Sequence, residues 1–310
     1  MLDAICSYTV TDLLTAYETE YLPSKAATTR YQLGHMFAWL RRELGPMLLT
    51  DLTPAFLRTW RDDLTGRGYA PGTVRRYLDC LSGPLSIAVR DYEWLPSNPL
   101  RKVQKPPETP ARVRFLSDDE RKALLLNCAI SRNPHLYTFV LLALSTGARK
   151  NQLLQLRWRD VDVARGMLRL QPFKQAPRRS LPLRGPVLTL LTKLGVDKTP
   201  EAWVFARHDG RKPTLLDAAF QVACARSGIT DMRIHDLRHT TASYLAMNGA
   251  TLREIAEVLG HKTLAQTMKY SHLSEGHTGD ILGKMVERFL AGALLAATLT
   301  TLGSVWLVWG

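Results

Sequence analysis

The sequence predicts a mainly α protein with a small β-sheet, divided into two domains. Apolar residues recur at helical spacing through most of the chain, whereas two short alternating runs, MLRLQP and RRSLPL, read as a β-hairpin. Between Leu95 and Ser117 the run LPSNPLRKVQKPPETPARVRFLS holds five prolines, which no regular helix accommodates. A chain of 310 residues is long enough to bury a core on each side of that stretch. The expected organisation is a helical domain over 1–95, a proline-rich basic linker over 96–116, a second domain over 117–288 and an apolar tail over 289–310.

In the first domain, helices are expected over Thr11–Tyr21, Thr28–Leu44, Thr53–Leu64 and Pro71–Trp94. Several open on Thr beside Asp or Pro, because a hydroxyl accepts from the free amides of a first turn and Pro presets its φ. The GYAPGT turn gathers Arg67, Arg75 and Arg76 around a helix N-terminus, whose free amides suit a phosphate. The second domain opens on Ser117, Asp118, Asp119 and Glu120. This acidic run is expected to cap a helix rather than hold a metal, since Ser117 and Glu120 stand at capping-box spacing. An apolar helix follows over Leu136–Ser145, and TGARKNQLLQLRWRDVD then supplies a turn, a short amphipathic helix and a strand. The hairpin comes next, with Lys174 near its tip. Helical patterns close the domain over Pro186–Leu194, Thr214–Ser227, His235–Asn248, Leu252–Leu259 and Leu264–Tyr270.

Composition narrows the partners. At 45% hydrophobic and 22% charged, the chain is no disordered polymer. Its 41 Lys+Arg against 28 Asp+Glu leave +13 at neutral pH, and 29 of the basic residues are Arg, the side chain that grips phosphate oxygens two at a time. Up to Pro106 there are 13 basic and 11 acidic residues, net +2; the remainder carries 28 and 17, net +11. Chemistry with anions is therefore expected in the second half, with nucleic acid as the first partner and an anionic membrane surface as the second. Cys6, Cys80, Cys128 and Cys224 are too far apart for a CxxC pair and read as buried free thiols in a reducing compartment. The N-terminal residues show no basic segment followed by a long apolar run, so a cytoplasmic location is expected. No charge follows Arg288, and the 22 residues from Phe289 to Gly310 would extend about 33 Å as a helix, enough for a bilayer core of roughly 30 Å. Thr298, Thr300, Thr301 and Ser304 lower that apolarity, and docking against another protein chain is preferred to membrane contact.

Arg149, Lys174, His235, Arg238, His261 and Tyr270 are residue types suited to phosphoryl chemistry, and all lie in the basic half. His235 and Arg238 stand at i and i+3, so one helix face can bring both to one anion. Taken together, TGAR and HDLRHTTASYLAMNGATLREIAEVLGHKTLAQTMKYSHL closely resemble the catalytic signature of tyrosine recombinases of the phage-integrase type. With LRWRDVD and the hairpin lysine, the resemblance spans roughly Leu116–Leu273. The run GYAPGTVRRYLDCLSGPLSIAVRDYEWLPSNPL more loosely resembles the family's core-binding domain. The resemblance implies a SAM-like helical core-binding domain ahead of an integrase-type catalytic domain. It implies an enzyme that cuts and rejoins double-stranded DNA at a recombination site through a 3′-phosphotyrosyl link, with no metal, ATP or other cofactor. It further implies a homo-tetramer assembled over two sites, accessory proteins being allowed for. Related outcomes are a type IB topoisomerase-like enzyme and a catalytically silent DNA-binding regulator.

The chemistry fits those residues. A phosphodiester repels nucleophiles, and without a metal fixed cations must neutralise its non-bridging oxygens, a role suited to the forks of Arg149 and Arg238. Tyr270 is then the nucleophile, His235 the base that takes its proton, and Lys174 the acid that protonates the departing 5′ oxygen. His261 donates a hydrogen bond to the phosphate or buttresses the tyrosine. Arg67, Arg75, Arg76, Arg112 and Arg114 are the expected contacts to DNA outside the reacting centre. One position departs from the family's pattern: three residues after the first arginine, where Glu or Asp is usual, stands Gln152, which keeps a hydrogen bond but carries no charge.

Overall fold

The computed structural model describes residues 7–107, 112–172, 178–207, 209–211, 213, 216–274 and 284–285. The chain divides into two compact units, Met1–Pro110 and Ala111–Gly310.

The first unit is built from α1 (Val10–Glu20), α2 (Ala27–Leu44), α3 (Pro54–Gly66) and α4 (Pro71–Arg90). Thr9 and Asp12 form a reciprocal capping box on α1, and the Thr53 hydroxyl accepts from the Phe56 amide with Pro54 in the first turn of α3. Residues Leu13, Phe37, Leu40, Leu57, Leu78 and Leu81 meet in one core. On its flank Trp39 stacks on Tyr77 with ring centroids 3.7 Å apart. The pattern predicts the last helix to reach Trp94, but α4 ends at Arg90. The Trp94 amide turns back to the Ala88 carbonyl at 2.8 Å, and its ring stacks on Tyr8. Buried Asn98 donates to Ser82 O and Ser86 Oγ and accepts from the Leu100 amide, which fastens the LPSNPL run to α4. Leu95, Leu100 and Val103 thereby join the core.

The second unit runs α5 (Asp118–Ala129), α6 (Leu136–Thr146), α7 (Lys150–Leu154), β1 (Val161–Asp162), β2 (Met167–Leu170), β3 (Arg179–Pro182), α8 (Pro186–Gly195), α9 (Asp217–Arg226), α10 (Asp236–Met247) and α11 (Leu252–Leu259). The three strands form an antiparallel sheet in the order β1-β2-β3, with Leu168 opposite Leu181, both buried. Ser117 and Glu120 make the expected capping box, and the acidic run is spent locally: Asp118 pairs with Arg121, Glu120 with Arg114.

Two sequence expectations change in this unit. LRWRDVD is a strand only at Val161–Asp162, because Asp160 folds back to accept from the Arg157 amide and closes a 3₁₀ turn over Trp158–Asp160. The predicted helix over Leu264–Tyr270 is a pair of 3₁₀ segments, Leu264–Gln266 and Met268–Ser274. Leu264 and Met268 are both exposed and give no apolar stripe to bury, while the buried positions, Thr267 and Tyr270, fall three apart, the 3₁₀ period. Cys80, Cys128 and Cys224 are buried free thiols. Cys6, Lys174 and the tail from Phe289 lie outside the described residues. Among the described residues no helix is long and apolar enough to cross a membrane.

Candidate active site

The N-terminal turns of α10 present His235, Arg238 and His239. Buried Asp236 holds this end of the helix by accepting from the Arg233 amide at 2.9 Å and from Arg112 Nη2 at 3.0 Å. Arg238 is 4% exposed, and its Nη1 donates to the Gly147 carbonyl at 2.7 Å. Gly147 ends α6 at φ 59°, and a Cβ there would lie 2.5 Å from Leu259 Cδ2, so both backbone conformation and space call for glycine in TGAR. Its other terminal nitrogen, Nη2, is buried with no hydrogen-bond partner among the described residues. Burial first, then the charges of Arg149 and Arg179, lower the Arg238 pKa to about 9. A guanidinium in that state gains most from an anion.

Gln152 has a specific place in this arrangement. It is 5% exposed, its Oε1 accepts from the Arg149 amide at 3.4 Å, and its Nε2 donates to the Gln171 carbonyl at 3.0 Å. An uncharged amide therefore ties the start of α7 to the chain just after β2, and a carboxylate could make only the first of these bonds. Gln152→Ala is expected to cost about 1–3 kcal/mol of stability through the unpaired groups it leaves, read as a lowered melting temperature.

Arg179, which no motif in the sequence marks, is a further cation here. It lies on β3 and donates through Nη1 to the Val258 carbonyl and, at 3.4 Å, to that of Glu257, while its Nη2 is buried with no partner among the described residues. Burial and the charge of Arg149 lower its pKa to about 10. Strand alternation is the one local signal: Arg179 shares a face with Leu181. The same guanidinium lies 2.9 Å from where a Cβ on Gly260 would stand, and Gly260, at φ 66°, ends α11 and turns the chain into His261. His261 Nδ1 is 2.7 Å from the hydroxyl of Thr267, a contact that fixes the ring. Burial, followed by Arg238 and Arg149, lowers its pKa to about 4.

Tyr270 completes the group. Its ring belongs to a small apolar cluster with Ala242, Ala246, Ile255 and Leu259, leaving the residue 1% exposed. Its hydroxyl is 2.6 Å from His239 Nδ1. Burial raises the phenol to about 12 against a lowering contribution from Arg238, and lowers His239 to about 4. Lys269 Nζ sits 5.1 Å from the Tyr270 ring centroid and is lowered by burial and by Arg238. His239 and Lys269, like Arg179, are residues that sequence reasoning missed; His239 stands four residues after His235, on the same helix face. His235 itself is exposed, its ring centroid 5.6 Å from that of His239, and desolvation and Arg238 lower its pKa.

The site thus brings together Arg149, Arg238, His235, His261 and Tyr270 of the sequence-predicted set. Beside them an open cleft of about 330 Å³ is lined by Arg149, Lys150, Asn151, Asp217, Arg233, Ile234 and His235. Lys174 lies outside the described residues. The arginines expected at DNA are mostly engaged within the protein: Arg67 with Glu43, Arg75 with the Pro106 carbonyl, Arg112 with Asp231 and Asp236, Arg114 with Glu120.

Two neutral histidines in a cationic site carry a stability signature. The folded pKa values of His239 and His261, about 4, lie below the ordinary 6.5, so the unfolded chain binds more protons between those values. Their full contribution is present above pH 6.5 and is lost as pH falls toward 4. Melting temperature followed from pH 7 to pH 4 should fall in that window, and less steeply in a His261→Gln variant.

The Phage integrase family model matches residues 114–277. An integrase-type protein of Pseudomonas phage Pf1 is 32% identical over 215 residues, covering 67% of this chain and 59% of that protein. The shufflon-specific DNA recombinase of Escherichia coli is 28% identical over 233 residues, covering 73% and 59%. The chain therefore spans less than two thirds of the length of these relatives. In fold it is similar to lambda integrase, in a structure of the dimer bound to a COC′ core site, with a TM-score of 0.73 at 20% identity over 87% of this chain and 79% of that one. The family match takes in more than half of the chain and includes Arg149, Arg238, His261 and Tyr270: this chain belongs to the phage integrase family.

Proposed function

We propose that the chain is a site-specific recombinase that cuts and rejoins DNA strands through a 3′-phosphotyrosyl intermediate formed at Tyr270. One observation carries this reading. The Tyr270 phenol and the Arg238 guanidinium act on each other electrostatically, and Arg238 and Arg179, which repel each other, each keep a buried nitrogen with no partner among the described residues. A phosphodiester supplies the acceptors these nitrogens lack, and its negative charge relieves their mutual repulsion. Arg149 and Arg238 hold the non-bridging oxygens as charge builds in the transition state, and His261, oriented by Thr267, donates to the same phosphate. Tyr270 Oη forms the bond to phosphorus as the 5′ oxygen leaves, taking a proton from Lys174. The link stores the bond energy until a 5′ hydroxyl from the partner strand reverses the step.

Both units contact duplex DNA, and the enzyme works as a homo-tetramer on two sites, with accessory proteins allowed for, in the cytoplasm. In the first unit Arg76 lines an open cleft of about 510 Å³ with Tyr31, His35 and Tyr77. Arg76→Ala should weaken binding by a similar factor on all sequences and reduce the slope of log affinity against log salt by about 1, the loss of one phosphate contact. An unchanged slope removes Arg76 from the interface.

The activity is tested with two labelled duplexes carrying the repeats that flank this chain's own gene, incubated with the protein and no ATP. Joined products with exchanged flanks support recombination. Relaxation of supercoiled DNA without exchange supports the topoisomerase reading, and binding without covalent attachment supports a silent regulator.

A further inference from the structure

The hydroxyl of Tyr270 is hydrogen-bonded to a residue outside the set that the sequence singles out. We propose that His239 takes the hydroxyl proton of Tyr270 as the tyrosine attacks phosphorus, and that the buried His239–Tyr270 pair stores the nucleophile between reactions. This rests on the reading of Tyr270 as the nucleophile.

Geometry comes first. His239 Nδ1 is 2.6 Å from Tyr270 Oη, within the range where a proton passes directly, and the two residues are 8% and 1% exposed. A phenol buried so fully must place its proton on an acceptor. If Nδ1 carried a hydrogen and donated, the phenolic proton would be stranded; the arrangement that satisfies both groups has Tyr270 donating to an unprotonated Nδ1. The surrounding apolar cluster of Ala242, Ala246, Ile255 and Leu259 keeps competing water away from that bond.

Burial, and then the charges facing the pair, explain why it is at rest without DNA. Desolvation first, then Lys269, His235 and Arg238, disfavour an imidazolium at His239, and Asp236 favours it. With a phenol near 12 and an imidazole near 4, the proton stays on oxygen and the tyrosine is inert. A phosphodiester entering the cluster changes both sides of that balance. Its negative charge offsets Arg238 and its neighbours, which makes an imidazolium at His239 less costly, and the phenolic hydrogen grows acidic as the Oη–P bond forms. The proton then moves from Oη to Nδ1, the oxygen's electron pair makes the bond to phosphorus, and the P–O5′ bond breaks with its pair leaving on the 5′ oxygen, which is protonated by Lys174. In rejoining, the 5′ hydroxyl returns its proton to that lysine, and the departing tyrosyl oxygen takes its own back from His239. His235, exposed at the mouth of the same helix face, is left to bind the phosphate.

The test separates a proton acceptor from a mere hydrogen-bond partner. His239→Asn keeps an acceptor atom near the position of Nδ1 but cannot take up a proton; His239→Gly leaves room for free imidazole. Single-turnover cleavage of a duplex carrying the repeats that flank the gene is expected to fall at least 10²-fold in both, the scale of a lost general base, with DNA affinity unchanged. Imidazole should restore the Gly variant at least tenfold and leave the Asn variant slow. A substrate with sulfur at the bridging 5′ position, whose leaving group needs no acid, should rescue neither. Cleavage by His239→Asn within threefold of wild type overturns the proposal, as does rescue of that variant by the sulfur substrate. If the variants melt too low to assay, the nitrogen resonances of His239 in the wild-type chain decide: an unprotonated Nδ1 supports the proposal and a protonated one contradicts it. Tyr270→Phe run in parallel keeps the two readings apart, since an adduct persisting in that variant removes Tyr270 as nucleophile whatever His239 does.

Discussion

Arg238→Ala is expected to slow single-turnover DNA cleavage by about 10²–10³, the scale seen when a fixed donor to a developing oxyanion is removed. Arg238 is buried and feels the charges of Arg149 and Arg179, and its pKa of about 9 says that the folded protein holds this charge at a cost. Removing it relieves repulsion from Arg149 and Arg179 while leaving the Gly147 carbonyl without its donor, and these effects on stability oppose each other. The variant should therefore melt within a few degrees of wild type while its chemistry collapses. Arg238→Lys should recover little, because an ammonium is a point charge and cannot hold the Gly147 carbonyl and a phosphate oxygen along the two arms of one planar fork. Cleavage within threefold of wild type in the Ala variant, measured by quenched time courses, contradicts a role for Arg238 in the transition state.

Tyr270→Phe should abolish covalent attachment to DNA and leave non-covalent affinity near wild type. The ring sits in an apolar cluster that phenylalanine fills equally well, and the substitution removes the hydroxyl's hydrogen bond to His239. Because that histidine is neutral, no buried charge is stranded. A denaturant-resistant adduct in the Phe variant would show that another residue is the nucleophile.

Much of this fold and site could be read in the sequence, for reasons that differ by element. Helices announced by a cap and a long apolar stripe were legible: Thr53–Pro54 opens α3, Ser117 and Glu120 box α5, and α11 spans Leu252–Leu259 as the pattern required. The segment ending at Tyr270 was not, because so short a run can support a helical or a 3₁₀ reading and only tertiary burial of Thr267 and Tyr270 chooses between them. Within the site, the sequence singles out residues that carry a family pattern or an i, i+3 relation and passes over those recruited by packing. Arg179 reaches the cluster because β3 lies against the end of α11, a long-range fact that no local spacing encodes. His239 had a local signal, four residues from His235, but its role depends on the fold of the 3₁₀ segment that carries Tyr270 against α10. Gln152 departs from the acidic residue usual in the family, and of its two opposite hydrogen bonds, which an amide can make together and a carboxylate cannot, the one to Gln171 is a long-range fact of the fold.

A nucleophilic Tyr270 becomes bonded to a DNA 3′ phosphate, and peptide mapping of the trapped intermediate reads that bond itself. The full chain is reacted with a nicked duplex that carries the repeats flanking its gene and loses its 5′ fragment on cleavage, so that rejoining cannot occur. The adduct is then digested with protease and nuclease and analysed by mass spectrometry. The expected product is a nucleotide attached through its 3′ phosphate to Tyr270 in the peptide containing MKYSHL. Attachment at any other residue, through a 5′ phosphate, or none at all under conditions where the DNA is bound, would contradict it.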